Sequence, residues 1–231
     1  MDNYFLDNPD LQFIFKTADL STVVGMIEND FADRDRYAYA PESVADALDS
    51  YRRVLEIAGD VAARIIAPLG ERIDNEHNLV RSGRVVYSDA VAESVQALRQ
   101  AELMGCTISR KYGGLNLPNI IFIMLVEMVS QADAGIQNIF GLQGVSAIIE
   151  GFADEELKQK YLPLFAEGKA TGAMALTEDE AGSDLQNVKL KAEQDADGTW
   201  RLNGVKRFIT NGGAEVLLVL ARSEAGTTDG L

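Results

Sequence analysis

Gly172-Ala173-Met174-Ala175-Leu176-Thr177-Glu178-Asp179-Glu180-Ala181-Gly182-Ser183-Asp184 marks the point where the chain changes its period. Upstream of Lys169, apolar residues recur at three- and four-residue steps, as helices require. From Gly172 onward, short apolar or alternating runs are separated by turn residues, as strands require. Gly172 to Thr177 reads as a strand that runs into a loop with Gly182 and two hydroxyls, Thr177 and Ser183. Such a loop can present N–H and OH groups to the polar edge of a ligand or to a phosphate. Read alone, it is first an acidic surface turn and only second a ligand loop.

Downstream, Val188 to Glu193 alternates, and Asp195-Ala196-Asp197-Gly198 supplies turn chemistry before Trp200-Arg201-Leu202. A second turn at Asn203-Gly204 precedes Val205 to Thr210, which is expected to extend the sheet. Alternation there would put Phe208 and Thr210 on one face, an aromatic beside a hydrogen-bond donor, although sheet packing explains the pair more simply. Val216 to Ala221 suits a buried strand, and Gly226 to Leu231 reads as a loop, with the chain ending in mid-sheet.

Upstream, Val44, Leu48, Tyr51, Val54, Leu55, Ala58, Val61, Ala62 and Ile65 draw one helical stripe, expected to close at Pro68 and Gly70. Ser88 is expected to cap a second helix, with Val91, Val95 and Leu98 inward, that stops at Gly105. Asn119 to Ala132 is apolar nearly all round and is expected to be buried within a bundle. Residues 134–150 and 154–167 read as two more helices, and Asp154, Glu155 and Glu156 suit the start of the last one. Residues 1–40 carry Tyr4, Phe5, Phe13, Phe15 and Phe31 without clean periodicity, as an extended arm docked on an apolar surface would. Helices followed by strands make the fold class α+β: an N-terminal α-helical bundle, then a partial antiparallel β-domain. The divisions are an extension at 1–40, a helical domain at 41–170 and a β-domain at 171–231.

Composition removes several function classes. With 36 acidic and 21 basic residues the formal charge is −15, which disfavours nucleic acid and anionic membrane surfaces as partners. An anionic small molecule stays open, because backbone amides and a few local cations can hold it. The longest apolar run, Ile120 to Val126, is far short of the ~20 residues of a membrane span, and the N-terminus lacks the pattern of a secretory signal. One cysteine, Cys106, and one histidine, His77, cannot build a structural zinc site. Cys106 reads as a small buried hydrophobe and His77 as a solvated side chain; no metal site is expected.

Taken together, Thr177–Asp184 and Phe208–Gly213 resemble the acyl-CoA dehydrogenase family, whose middle domain carries a T-E-x-x-A-G-S-D loop, a hairpin and a W/F-I-T-N-G-G strand. Lys111-Tyr112-Gly113-Gly114-Leu115 and Gln159-Lys160-Tyr161-Leu162-Pro163 are similar to two further family segments. The stretch from Tyr4 to Leu11 is similar to the extension of a longer bacterial branch. The resemblance implies FAD as cofactor and an acyl-CoA thioester as substrate, desaturated by α-proton abstraction and β-hydride transfer to flavin N5. Met174, Leu176 and Thr177 would border the flavin, Gly182 and Ser183 would approach its diphosphate, and Ser183 would also reach the acyl-CoA. Phe208 and Ile209 would pack at the ring, and Thr210 would hydrogen-bond N5. Ile120, Met124, Phe140 and Leu142 would offer an apolar wall to the acyl chain.

The family's catalytic base is a glutamate of a C-terminal helical domain, and no residue here matches it, so the chain is expected to be an inactive N-terminal fragment. The resemblance further implies electron-transfer flavoprotein as electron acceptor, a homodimer or homotetramer, and a cytoplasmic place in bacterial fatty acid β-oxidation. Asp179-Glu180 stands where many members have Pro-Gly, a change that alters turn chemistry and adds charge. Two other readings compete: a relative on the same scaffold with oxidase or other non-desaturase activity, and a non-catalytic binding or scaffold protein.

Overall fold

Asn8, Ser43, Ser88, Asp133 and Asp154 each accept hydrogen bonds from backbone N–H groups in the first turn of a helix. These caps satisfy donors that a helix start leaves without partners. The computed structural model describes residues 1–224, so the loop read at Gly226–Leu231 lies outside the described residues. The chain divides into two compact units, Met1–Ala170 and Thr171–Leu231.

The first unit is helical. Its apolar stripe builds α3 (Val44–Val61), which does not close at Pro68 and Gly70. A wide π turn over Ala62–Ile66 leads directly into α4 (Ala67–Asn75), with Pro68 in its first turn. A proline there gives up no needed N–H, and the wide turn removes the clash its ring would cause. Ser88 caps α5 (Asp89–Gln100), which ends before Gly105, with Glu102 just beyond it in the left-handed region at φ 58°. Then follow α6 (Asn119–Ala132), α7 (Ala134–Gly141), α8 (Val145–Phe152) and α9 (Glu155–Ala166). The span 134–150 is thus broken by a tight turn at Leu142–Gly144.

Helix α6 is not buried all round. Ile121, Met124, Leu125, Met128 and Val129 face the core, while Ile123 on the opposite face is 59% exposed. Composition marks the segment as apolar, but the 3.6-residue period decides which side is covered. Met124 and Phe140 are core residues and Leu142 is half-buried. Cys106 is also buried, which pushes its thiol pKa up to about 12 and leaves it an inert small hydrophobe. His77 is exposed. One element was not anticipated: a hairpin of β1 (Leu79–Arg81) and β2 (Arg84–Val86), turned by Ser82 and Gly83, both at positive φ.

Residues 1–40 are not an extended arm. They form α1 (Pro9–Thr17), α2 (Ser21–Ile27) and a run of turns. Phe5, Leu11, Leu20 and Val24 are buried in the helical core. At ~1.5–3 kcal/mol for each large side chain buried, that contact holds helices too short to stand alone. Docking depends on close approach at α3. The Tyr4 N–H donates to the Gly59 carbonyl at 3.1 Å, and a Cβ on Gly59 would lie 2.2 Å from Asn3 Oδ1 and 2.7 Å from the Phe5 nitrogen. Gly59→Ala is therefore expected to cost ~1–3 kcal/mol and to loosen residues 1–8, read as faster proteolysis there than in the native chain.

Polar contacts anchor the same segment. Glu28, just after α2, meets Arg110 in a two-pronged ion pair whose side chains are 1% and 3% exposed. The Tyr51 hydroxyl of α3 donates to Glu28 at 3.0 Å, and burial first, then the Glu28 charge, raises the Tyr51 pKa. Asn116 Nδ2 donates to the Ile27 carbonyl at 3.0 Å.

The second unit holds two two-stranded sheets. β4 (Lys191–Gln194) and β5 (Trp200–Asn203) form the expected antiparallel hairpin. β3 (Gly172–Ala175), by contrast, pairs in parallel with β6 (Val216–Val219). A strand period of two carries no information on direction, and the long connection between these strands permits a parallel return. Beyond β6, Arg222 pairs in parallel with Lys191 and joins the two strand pairs. β6 is half-buried to exposed rather than fully buried. The segment from Val205 to Thr210, expected as a strand, is irregular.

Candidate functional site

Three neighbouring acids shape the loop after β3. Glu178 and Ala181 bond each other reciprocally, N–H to carbonyl, at 3.0 and 3.2 Å, which closes a tight turn over Asp179-Glu180. No Pro-Gly is needed, because the charges are met one for one. Lys206 pairs with Glu178 at 2.9 Å, Arg207 with Asp179 at 2.6 Å, and Lys189 with Glu180.

Glu178 is the centre of this arrangement. Its carboxylate accepts from the N–H groups of Lys189 at 2.6 Å and Leu190 at 2.9 Å as well as from Lys206. The Glu178 and Lys206 side chains are only 10% and 7% exposed. Burial works against the Glu178 charge, but the Lys189 N–H, the Lys206 ammonium and the Leu190 N–H together outweigh it and hold the pKa below the ordinary glutamate value.

The same two cations bring the predicted segments side by side. Lys206 Nζ donates to the Leu176 carbonyl at 2.8 Å, and the Arg207 N–H donates to the Thr177 carbonyl at 2.9 Å. Asn211 reaches back to the start of β3, donating to Thr171 Oγ1 at 3.1 Å and to the Gly172 carbonyl at 3.0 Å. These ties, rather than sheet pairing, fix residues 205–211. A strand there would compete for the backbone and side-chain groups that now bond residues 171–179.

Each predicted site residue therefore has a definite place. Met174 lies on β3 with its side chain partly exposed; Leu176 and Thr177 are half-buried just beyond the strand. Gly182 and Ser183 are exposed after the tight turn, and a Cβ on Gly182 would meet nothing within 4 Å. Phe208 does not share a strand face with Thr210. It sits in the left-handed region at φ 58° and is 82% exposed. Ile209 is half-buried and Thr210 exposed in the turn closed by the Gly212 N–H on the Ile209 carbonyl at 3.2 Å. Among the described residues, the hydroxyls of Thr177, Ser183 and Thr210 make no side-chain hydrogen bond.

Sequence reasoning missed Glu178, Lys206, Arg207 and Asn211 as the groups that assemble the site. The signal was a run of three acids answered by Lys189 and Lys206-Arg207, whose pairing a one-dimensional reading does not show. What the arrangement offers is three hydroxyls, an exposed aromatic residue and an open glycine. Those are the elements for a flat, polar-edged ligand with an anionic tail. Among the described residues no group of His, Cys, Asp and Glu could hold a metal ion, and no helix is long and apolar enough to cross a membrane.

Two family profiles match the chain: "Acyl-CoA dehydrogenase, N-terminal domain" over residues 49–169 and "Acyl-CoA dehydrogenase, middle domain" over residues 173–231. A mitochondrial isovaleryl-CoA dehydrogenase of Solanum tuberosum is 30% identical over 180 residues, 76% of this chain and 41% of that protein. A 3-methylmercaptopropionyl-CoA dehydrogenase of Ruegeria pomeroyi is 32% identical over 186 residues, covering 76% and 31% respectively. A solved acyl-CoA dehydrogenase from Bacillus anthracis, complexed with FAD, matches at a TM-score of 0.66 and 30% identity, over 76% of this chain and 29% of that one. The chain thus spans about two-fifths or less of the length of these relatives.

Proposed function

Because the chain belongs to the acyl-CoA dehydrogenase family, we propose that it is the FAD-binding portion of an enzyme that desaturates an acyl-CoA thioester between its α and β carbons. The observation that carries this reading is the joining of residues 176–178 to 206–207, which sets in one small unit an exposed aromatic residue and three hydroxyls that make no side-chain hydrogen bond among the described residues. The residues fit the cofactor: the open space at Gly182 leaves room for a diphosphate, and the exposed Phe208 ring offers a face to a flat heterocycle.

When bound, FAD supplies the acceptor for the β-hydrogen as hydride. Met174, Leu176 and Thr177 would border the ring and orient its polar edge. Ser183 would donate toward the diphosphate and toward the thioester substrate. Phe208 and Ile209 would pack at the flavin, and the Thr210 hydroxyl would donate or accept a hydrogen bond at N5. The α-proton would go to a glutamate base that no residue of this sequence matches, and on this reading the 231 residues by themselves turn over no substrate.

In domain terms, residues 1–40 are an extension, 41–170 the helical domain and 171–231 the first part of the middle domain. The whole protein is a cytoplasmic homodimer or homotetramer of bacterial fatty acid oxidation and passes electrons to an electron-transfer flavoprotein.

The test is to add a panel of acyl-CoAs, without oxygen, to the flavin-loaded protein expressed from its complete coding sequence. Bleaching of the visible flavin bands by a member of the panel is the expected result. Bands that stay oxidised with every thioester would contradict desaturation. Gly182→Ala probes the site separately: the added methyl meets nothing in the chain, so the melting temperature should hold while FAD affinity falls by about tenfold, ~1.4 kcal/mol.

A further inference from the structure

We infer that Asp179 and Arg207 form a positioning pair that presents the Phe208 ring to the flavin, an inference that rests on the flavin-site reading above. Phe208 adopts a left-handed backbone conformation at φ 58°, which a bulky non-glycine residue takes up only under constraint. The residue is 82% exposed, so core packing is not the constraint. Arg207 is. Its N–H is bonded to the Thr177 carbonyl at 2.9 Å, its guanidinium lies 5.1 Å from the Phe208 ring centroid, and its Nη1 donates to Asp179 Oδ1 at 2.6 Å.

The Asp179 carboxylate is itself held in place. It projects from the turn closed by Glu178 and Ala181, and the next residue, Glu180, is tied to Lys189. The guanidinium is thus fixed through its backbone at one end and through Asp179 at the other, with the aromatic ring against it. Arginine suits this place because a planar guanidinium can stack on a ring and bond a carboxylate at once. Asp179 therefore acts through Arg207 on Phe208, and it does so from a position where a prolyl-glycyl turn would carry no charge.

The pair is more than half exposed on both sides, 52% and 62%, so its effect must be modest and must respond to salt. Using the protein expressed from its complete coding sequence, FAD dissociation constants would be measured for the native protein, Asp179→Asn, Arg207→Gln and the double variant. At low ionic strength each single variant should bind FAD about threefold more weakly. The double variant should be no worse than either single, and the differences should shrink at ~0.5 M salt as screening shortens. Unchanged melting temperatures would accompany these shifts. Affinities equal to the native value, losses that multiply in the double variant, or losses indifferent to salt would overturn the pairing while the flavin site stands. A native protein that takes up no FAD would overturn the flavin site, and the pairing with it.

Discussion

Replacing Glu28 by alanine lowers the unfolding free energy by about 3–5 kcal/mol, because it strands a buried arginine. Among the described residues Arg110 has one side-chain ion-pair partner, Glu28, and both side chains are almost fully enclosed. Its Nε has no hydrogen-bond partner among them, so removing the carboxylate leaves the guanidinium little beyond the Tyr39 ring, 5.9 Å away. The Tyr51 hydroxyl loses its acceptor in the same step. Since Glu28 belongs to the N-terminal segment and Arg110 to the loop after α5, the loss releases α2 from the helical core. Equilibrium urea unfolding followed by circular dichroism reads the effect as a lowered midpoint. The double replacement Glu28→Leu with Arg110→Met should recover much of the loss, since apolar pairs of similar volume often match a buried ion pair. A Glu28→Ala unfolding free energy within ~1 kcal/mol of the native protein's would mean that the pair behaves as a surface contact.

Glu178→Ala has the second large effect, and it falls on the second unit. The substitution leaves the Lys206 ammonium and the Lys189 and Leu190 N–H groups without their shared acceptor, at a cost of roughly 3 kcal/mol. Lys206 then no longer bridges Glu178 to the Leu176 carbonyl, and the two segments of the candidate site drift apart. FAD affinity should fall by more than about tenfold, well beyond the effect of either outer ion pair.

The same carboxylate sets a pH dependence. Its pKa in the folded chain lies below the ordinary value of 4.5, so its contribution to stability is complete above that value. It is lost as pH falls through the folded pKa. Protection factors of residues 176–190 and 206–208, corrected for the intrinsic pH dependence of amide exchange, should fall in acid below the ordinary glutamate range and be flat above it. In Glu178→Ala the exchange should already be fast at neutral pH.

The division into helices and then strands was legible because it rests on period. The bounds of α6 agree with its apolar run at both ends, and Ser88 and Asp154 cap the helices they were expected to cap. What failed depended on partners distant in sequence. Pro68 looks like a helix stop until a π turn places it in the first turn of a new helix. The alternation of Val205 to Thr210 looks like a strand until Lys206, Arg207 and Asn211 are seen tied to residues 171–179. The β1–β2 hairpin was a missed local signal, since Ser82-Gly83 lies between two short runs that each hold two branched or apolar residues, Leu79-Val80 and Val85-Val86. The candidate cofactor residues were named from resemblance. The acids and bases that bring them together became visible only in three dimensions.

The central claim, that residues 174–184 and 206–210 form one flavin site, is tested most directly by a crystal structure of the whole protein loaded with FAD. The account predicts the isoalloxazine ring against Thr177, Phe208 and Thr210, with the diphosphate beside Gly182 and Ser183. A flavin bound elsewhere, with these two segments untouched, would contradict it.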